Sequence, residues 1–320
     1  MLRSLLLLLT AALAFAAPKP PADVFLDADK AGTDFAVQGE YIGDSDGKDR
    51  LAAQVVAQGN GYFLVSFLKG GLPGDGWDGK AKIAAAAGTV DGKTIFAGSG
   101  WKGKIADGLL TGVRDDGTEF QLARVVRKSS TEGAKPPDGA LVLFDGAGVD
   151  EWKNGKIVEE NLLAQGATTK KAFRDFKLHV EFRLPFKPRA RGQERGNSGV
   201  YLQRRYEIQV LDSFGLAGDK SECGAVYEQT PPSVNLCYPP LSWQTYDIDF
   251  QAARFDGDGK KTANAVVTVL HNGVKVHDRR DISDKTGYGD KEADTPGPIN
   301  LQDHGNPVYF RNVWMVEKKE

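Results

Sequence analysis

The chain has 320 residues, enough for two domains that each bury a core of their own. Lys and Arg number 41 against 43 Asp and Glu, a formal net charge of −2, so the charge balance gives no reason to expect nucleic acid as a partner. No basic run interleaved with aromatics appears, and the short cluster Lys187-Pro188-Arg189-Ala190-Arg191 reads as a solvated loop.

The first element in chain order is an export signal over residues 1–17. Arg3 supplies the positive charge, leucines open an apolar stretch at residues 5–9, and Ala14-Phe15-Ala16 fits a small-x-small cleavage site. Roughly a dozen apolar residues fall short of the roughly 20 that span a bilayer. No later segment is apolar enough to span, and no Cys follows the run to carry a lipid. A secreted or periplasmic mature chain without a membrane span is expected, with an uncleaved anchor as the alternative.

Residues 22–128 read as a small β-rich domain. The 38 glycines punctuate short bursts of β-branched and aromatic residues, which is the pattern of all-β chains. Strands are expected at residues 62–67, 94–97 and 119–126, and a helical turn at residues 84–87. Trp77 and Trp101 either stack on sugar rings or close a small core. This half has no histidine and no catalytic constellation.

Residues 129–139, Ser-Ser-Thr-Glu-Gly-Ala-Lys-Pro-Pro-Asp-Gly, read as an extended linker with little to bury. Beyond it, residues 140–317 form a second domain with clearer strands. Residues 176–184 alternate strictly, with Phe176, Leu178, Val180, Phe182 and Leu184 on one side. Residues 206–212 and 243–250 alternate likewise. Asn272-Gly273 separates two more bursts and is a strong hairpin signal, because both positions tolerate positive φ. Residues 299–302 and 308–316 supply the last strands. Antiparallel strands with one apolar face each are best satisfied by two sheets packed face to face, an all-β jelly-roll sandwich.

The polar strand faces hold the candidate chemistry. His179, Glu181, Glu207, Gln209, Asn300, Gln302 and His304 would line one concave surface if their strands are neighbours. Arg195-Gly196-Asn197-Ser198-Gly199 reads as a polar turn beside it. His304 suits a general base near neutral pH or a structural hydrogen bonder. Asp256-Gly257-Asp258-Gly259-Lys260 fails the EF-hand register and reads as a turn. No nucleophile elbow, P-loop or dinucleotide fingerprint is present, and no CxxC or HxxxH spacing marks a zinc site. Cys223 and Cys237 are either bridged, as an oxidising compartment permits, or two buried thiols.

Five blocks carry a resemblance: Leu143-Phe144-Asp145-Gly146; Gly196-Asn197-Ser198-Gly199-Val200-Tyr201; residues 206–213; Trp243-Gln244-Thr245-Tyr246-Asp247; and Leu301-Gln302-Asp303-His304-Gly305-Asn306. In this order, over residues 140–316, they resemble the 3-keto-disaccharide hydrolase domain family, also described as 3-keto-glucoside 1,2-lyase/3-keto-2-hydroxy-glucal hydratase. The resemblance implies a concanavalin-like jelly roll acting on an oligosaccharide or glycoside already oxidised at C3. A C3 ketone acidifies the C2 proton, so the site needs a base there, a stabiliser for the enolate and a proton donor for the leaving oxygen. On this reading Glu207 or His304 is the base or acid. Glu181, Asn197, Gln209 and Gln302 bind hydroxyls or the enolate, and Trp243 stacks or packs. A divalent cation could polarise the ketone. A non-catalytic carbohydrate-binding module and an ordinary glycoside hydrolase are the competing readings, because the fold alone does not choose between them.

Overall fold

A computed structural model of the chain describes residues 23–159 and 161–318; the expected export signal lies outside them. Strand accounts for 48% and helix for 4%, which makes the protein all-β. Among the described residues no helix is long and apolar enough to cross a membrane.

A short 3-10 turn and the six-residue helix α1 (Gly32–Val37) precede eight antiparallel strands. These are β1 (Gly39–Ser45), β2 (Asp49–Gly59), β3 (Tyr62–Lys69), β4 (Ile83–Val90), β5 (Lys93–Gly98), β6 (Trp101–Ala106), β7 (Leu109–Arg114) and β8 (Glu119–Val125). Each pairs with the next, and β8 returns to β1, closing a barrel without free edges. Its interior is filled by Tyr41, Phe63, Phe67, Phe96, Trp101 and Phe120. Trp101 therefore closes the core, stacked on Phe67 at 4.4 Å. The expected helical turn at residues 84–87 is instead part of β4. Alanine alternates there between the barrel core (Ala85, Ala87) and the surface (Ala84, Ala86), and pairing on both edges overrides its helix preference.

The second half begins with β9 (Leu141–Phe144), β10 (Trp152–Lys153), β11 (Ile157–Val158), β12 (Leu162–Ala164) and β13 (Thr168–Thr169). It continues through β14 (Phe176–Arg183), β15 (Asn197–Leu202), β16 (Tyr206–Leu211), β17 (Trp243–Gln251), β18 (Arg254–Phe255) and β19 (Lys261–Ala263). The last are β20 (Ala265–His271), β21 (Val274–Ile282), β22 (Asn300–Leu301) and β23 (Tyr309–Glu317). Five strands form one sheet in the order β10-β13-β22-β15-β16. The facing sheet runs β11-β12-β23-β14-β17-β20-β21, with β9 added on β23. Phe176, Leu178, Val180 and Phe182 of the larger sheet meet Val200, Leu202, Ile208 and Val210 of the smaller in one apolar core. Asn272 and Gly273 sit at φ 52° and 80°, as their two-residue hairpin requires.

Two local expectations are corrected. The segment Asn197–Leu202 is a strand rather than a turn, because Ser198, Val200 and Leu202 supply an inward face. Residues 129–139 are not extended. They form turns pinned to the outer face of the larger sheet: Ser129 Oγ lies 2.6 Å from Thr245 Oγ1, Thr131 Oγ1 donates to Asp247 at 2.7 Å, and the Gly133 N–H donates to Glu181 at 2.6 Å. Cys223 and Cys237 are free thiols, both buried in the core.

Candidate active site on the five-stranded sheet

Strand alternation builds this site. Residues paired across an antiparallel ladder share a face, so the partners of the inward Val200 and Ile208 point inward and the intervening residues point out. The outward rows are Tyr201 beside Glu207, Gly199 beside Gln209, and Asn197 beside Leu211. β22 extends the first row, with Asn300 opposite Tyr201, and Gln302 donates its backbone N–H to Gly199 at 2.9 Å. On the other edge, Ile208 bridges Val226, and Tyr227 N–H donates to the Glu207 carbonyl at 3.1 Å. Tyr227, Glu207, Tyr201 and Asn300 thus form one row across the sheet.

Glu207 is the centre. Its carboxylate lies over Gly199, where a side-chain methyl would come within 2.2 Å of Oε1, so only glycine leaves the carboxylate its place. The residue is 2% exposed. Burial pushes its pKa up to about 7; the Tyr201 phenol opposes that shift and the Glu228 charge adds to it. Burial also raises the Tyr201 phenol, with the neighbouring Glu207 charge acting in the same direction, so Tyr201 stays protonated.

Two buried amide oxygens on this sheet face, Asn197 Oδ1 and Gln302 Oε1, have no hydrogen-bond partner in the protein, while the Tyr201 phenol faces the Glu207 carboxylate. Buried polar groups are normally satisfied, so two unpartnered oxygens on one face mark where a polar ligand would bind. Their neighbours are fixed. Gln193 Oε1 accepts from Asn197 Nδ2 at 3.0 Å and from Gln209 Nε2 at 3.1 Å, while its own Nε2 donates to the Ser221 carbonyl at 3.0 Å. The set offers a carboxylate poised between its two protonation states, a phenol donor, and amide oxygens that accept from hydroxyls. Among the described residues no group of three or more His, Cys, Asp or Glu is placed to hold a metal ion.

Of the residues singled out in the sequence, Glu207, Gln209, Asn197 and Gln302 come together here. His304 lies two residues past Gln302 on an exposed turn, its carbonyl accepting from Asn306 Nδ2 at 3.0 Å. Glu181, His179 and Trp243 do not join them. They lie on the outer face of the larger sheet, across the core, so the expectation of one shared surface is corrected: β14 and β17 pair with each other and not with β15 or β16. The Glu181 carboxylate is already saturated by Gly133 N–H at 2.6 Å, Arg311 Nε at 2.7 Å and Asn312 Nδ2 at 2.8 Å. The Trp243 ring is covered by the Arg311 guanidinium, 3.9 Å from its centroid. Sequence reasoning missed Tyr201, Gln193 and Tyr227. The alternation Asn-Ser-Gly-Val-Tyr-Leu held the signal for Tyr201, hidden by two glycines that suggested a turn.

This polar sheet face belongs to a jelly-roll-like all-β sandwich, a fold that hosts carbohydrate-active proteins among others. The family model described as "3-keto-alpha-glucoside-1,2-lyase-like domain" matches residues 139–316, more than half of the chain, and the chain belongs to that family. Among solved structures, a protein of Parabacteroides distasonis ATCC 8503 described as a "putative glycosyl hydrolase" is 33% identical, with a TM-score of 0.53. The match covers 57% of this chain and 85% of that one. A second protein of that organism, with the same description, is 19% identical at a TM-score of 0.42, covering 61% of this chain and 99% of its own. A comparison with curated proteins gives no match.

Proposed function

We propose that the sandwich cleaves 3-keto-glycosides by elimination, with Glu207 removing the C2 proton. The observation that carries this is a buried carboxylate, raised to about 7 by burial, with a phenol beside it and two unpartnered amide oxygens on the same sheet face. A base with a pKa near the working pH balances ionised fraction against basicity. Without a ketone the C2–H bond is far too weakly acidic for any side chain. With one, the electron pair left by the proton moves into a C2=C3 enolate, and the Tyr201 O–H donates to its oxygen. The enolate then collapses to the ketone as C1=C2 forms and the C1–O bond breaks. The leaving oxygen takes a proton, for which His304 at the open rim is our donor. Water adding its hydroxyl to C1 and its proton to C2 completes net hydrolysis. No oxocarbenium ion forms, so the carboxylate-separation rule of ordinary glycosidases does not apply. Export belongs to the same reading, on the strength of residues 1–17; intact mass of secreted material tests it, and a mass retaining those residues would refute it. The reaction is tested by incubating the protein with matched 3-keto and unmodified glycosides and following products by mass spectrometry. Release of aglycone from the 3-keto series alone is expected. Binding without products would indicate a carbohydrate-binding module, and cleavage of both series an ordinary glycosidase.

A further inference from the structure

Tyr288 is 91% exposed, the most exposed of the large hydrophobic side chains among the described residues. A single exposed aromatic is ordinary by itself; what sets this one apart is the backbone beneath it and its neighbours. Its loop is tied to the start of β16 by hydrogen bonds from Thr286 N–H to the Arg205 carbonyl (2.9 Å), Asp290 N–H to the Arg204 carbonyl (2.7 Å) and Glu207 N–H to Thr286 Oγ1 (2.7 Å). Gly289 N–H to the Thr286 carbonyl closes the turn at 2.7 Å. The loop therefore shares a hydrogen bond with the residue at the centre of the site.

The preceding Gly287 packs into the end of the polar row. A methyl there would lie 3.2 Å from the Tyr227 ring and 3.5 Å from Tyr201 Oη. Tyr227 stands in the same outward row as Glu207 and is itself only partly covered. The Tyr227 ring thus stands at one end of the site, outside the cluster of polar atoms around Gly199, and the exposed Tyr288 follows directly on the glycine packed against it. Resting on the function proposed above, we infer that Tyr288, with Tyr227, forms an aromatic platform for the second ring of the glycoside, a sugar or aryl group attached at C1.

The chemistry is direct. On that reading the reacting ring lies above the Glu207 carboxylate, its C2 toward that group and its hydroxyls toward Asn197 and Gln302. A ring attached to it extends past that cluster. A pyranose presents an apolar C–H face, and an aryl group a π-face; both pack on tyrosine, which loses little conformational entropy on binding. The hydroxyls of the tyrosines remain free to bond at the edge.

The test compares wild type, Tyr288→Ala and Tyr288→Phe on methyl and p-nitrophenyl 3-keto-glucosides. Tyr288→Ala should raise KM for the p-nitrophenyl substrate about five- to tenfold, the scale of one aromatic contact, and leave the methyl substrate unchanged. Tyr288→Phe, which keeps the ring, should behave as wild type. Equal effects on both substrates, or none, would overturn the platform. A second arm needs no turnover: saturation-transfer NMR with unoxidised p-nitrophenyl and methyl glucosides. Aryl-proton transfer should be present in wild type and lost in Tyr288→Ala. If no 3-keto-glycoside is turned over, the proposed reaction fails while this arm still decides the platform; aryl transfer that survives Tyr288→Ala, or is absent from wild type, would refute it.

Discussion

Glu207 holds two properties that pull in opposite directions. Its folded pKa of about 7 lies above the ordinary value of 4.5, so the folded state binds a proton that the unfolded chain has released. Stability is therefore unaffected below about 4.5 and is lost as pH rises from there through about 7, after which the loss is constant. Glu207→Gln removes the ionisation and keeps the shape. It should melt at a higher temperature than wild type at pH 8 and at the same temperature at pH 4, by differential scanning calorimetry. Turnover should move the other way, falling by roughly 10²–10⁴, the usual contribution of general acid–base catalysis. In wild type, kcat/KM should rise with pH along a limb centred near 7. An unchanged rate in the variant would show that another group takes the proton. This residue was legible in the sequence, because Tyr206-Glu207-Ile208-Gln209-Val210 alternates cleanly. Tyr201 was not: its strand carries Gly199 where an outward side chain would show the period, and only the overlying carboxylate explains that glycine.

At the scale of elements, residues 129–139 act as a strap rather than a tether. They cover a charged cluster that the sequence made look like a binding face. His179 is fully buried, its Nδ1 2.6 Å from Asp247 and its ring stacked on Trp314 at 5.0 Å. Burial would lower its pKa, but the bonds to Asp247 and Glu181 outweigh that and raise it. Burial would raise Glu181, yet hydrogen bonds from His179, Asn312, the Gly133 N–H and Arg311 hold it down to about 2. The Glu181 contribution is present above its ordinary 4.5 and disappears as pH falls towards 2. The His179 contribution is complete below its ordinary 6.5 and is lost as pH rises through its higher folded value. The strap should thus be tightest between these limits. Glu181→Gln should cost on the order of 2 kcal/mol at pH 6 and flatten the acid limb of the melting curve, because it removes the buried anion that Arg311 and His179 share, leaving them only Glu132 and Asp247. An identical acid limb in the variant would remove this account. Composition misled here: a Ser, Thr and Gly stretch with two prolines looks unable to pack, yet its hydroxyls and N–H groups are what the buried carboxylates needed.

At the scale of the whole molecule, barrel and sandwich share packing. Val56 of β2 belongs to the sandwich core, and Phe186, between β14 and β15, belongs to the barrel core. Lys82 Nζ donates to the carbonyls of Gly215 (3.0 Å) and Leu216 (3.1 Å) as well as to Gln54 Oε1 (3.1 Å). The barrel's last strand ends at Val125 and the sandwich's first begins at Leu141; the docking between them was not readable from composition, since neither Val56 nor Phe186 breaks the pattern of its own element. Such an interface should make the halves melt as one calorimetric transition, and a fragment starting at residue 140 should melt lower than the intact chain. Two resolved transitions would contradict this. The sandwich face and the reaction assigned to it stand or fall on the C2 proton. A 3-keto-glucoside carrying deuterium at C2 tests this most directly, by its initial rate of aglycone release beside that of its protiated twin. The account predicts that the deuterated substrate reacts more slowly and that the parent glucoside is left intact; equal rates for the two isotopologues, with cleavage of the parent, would contradict it.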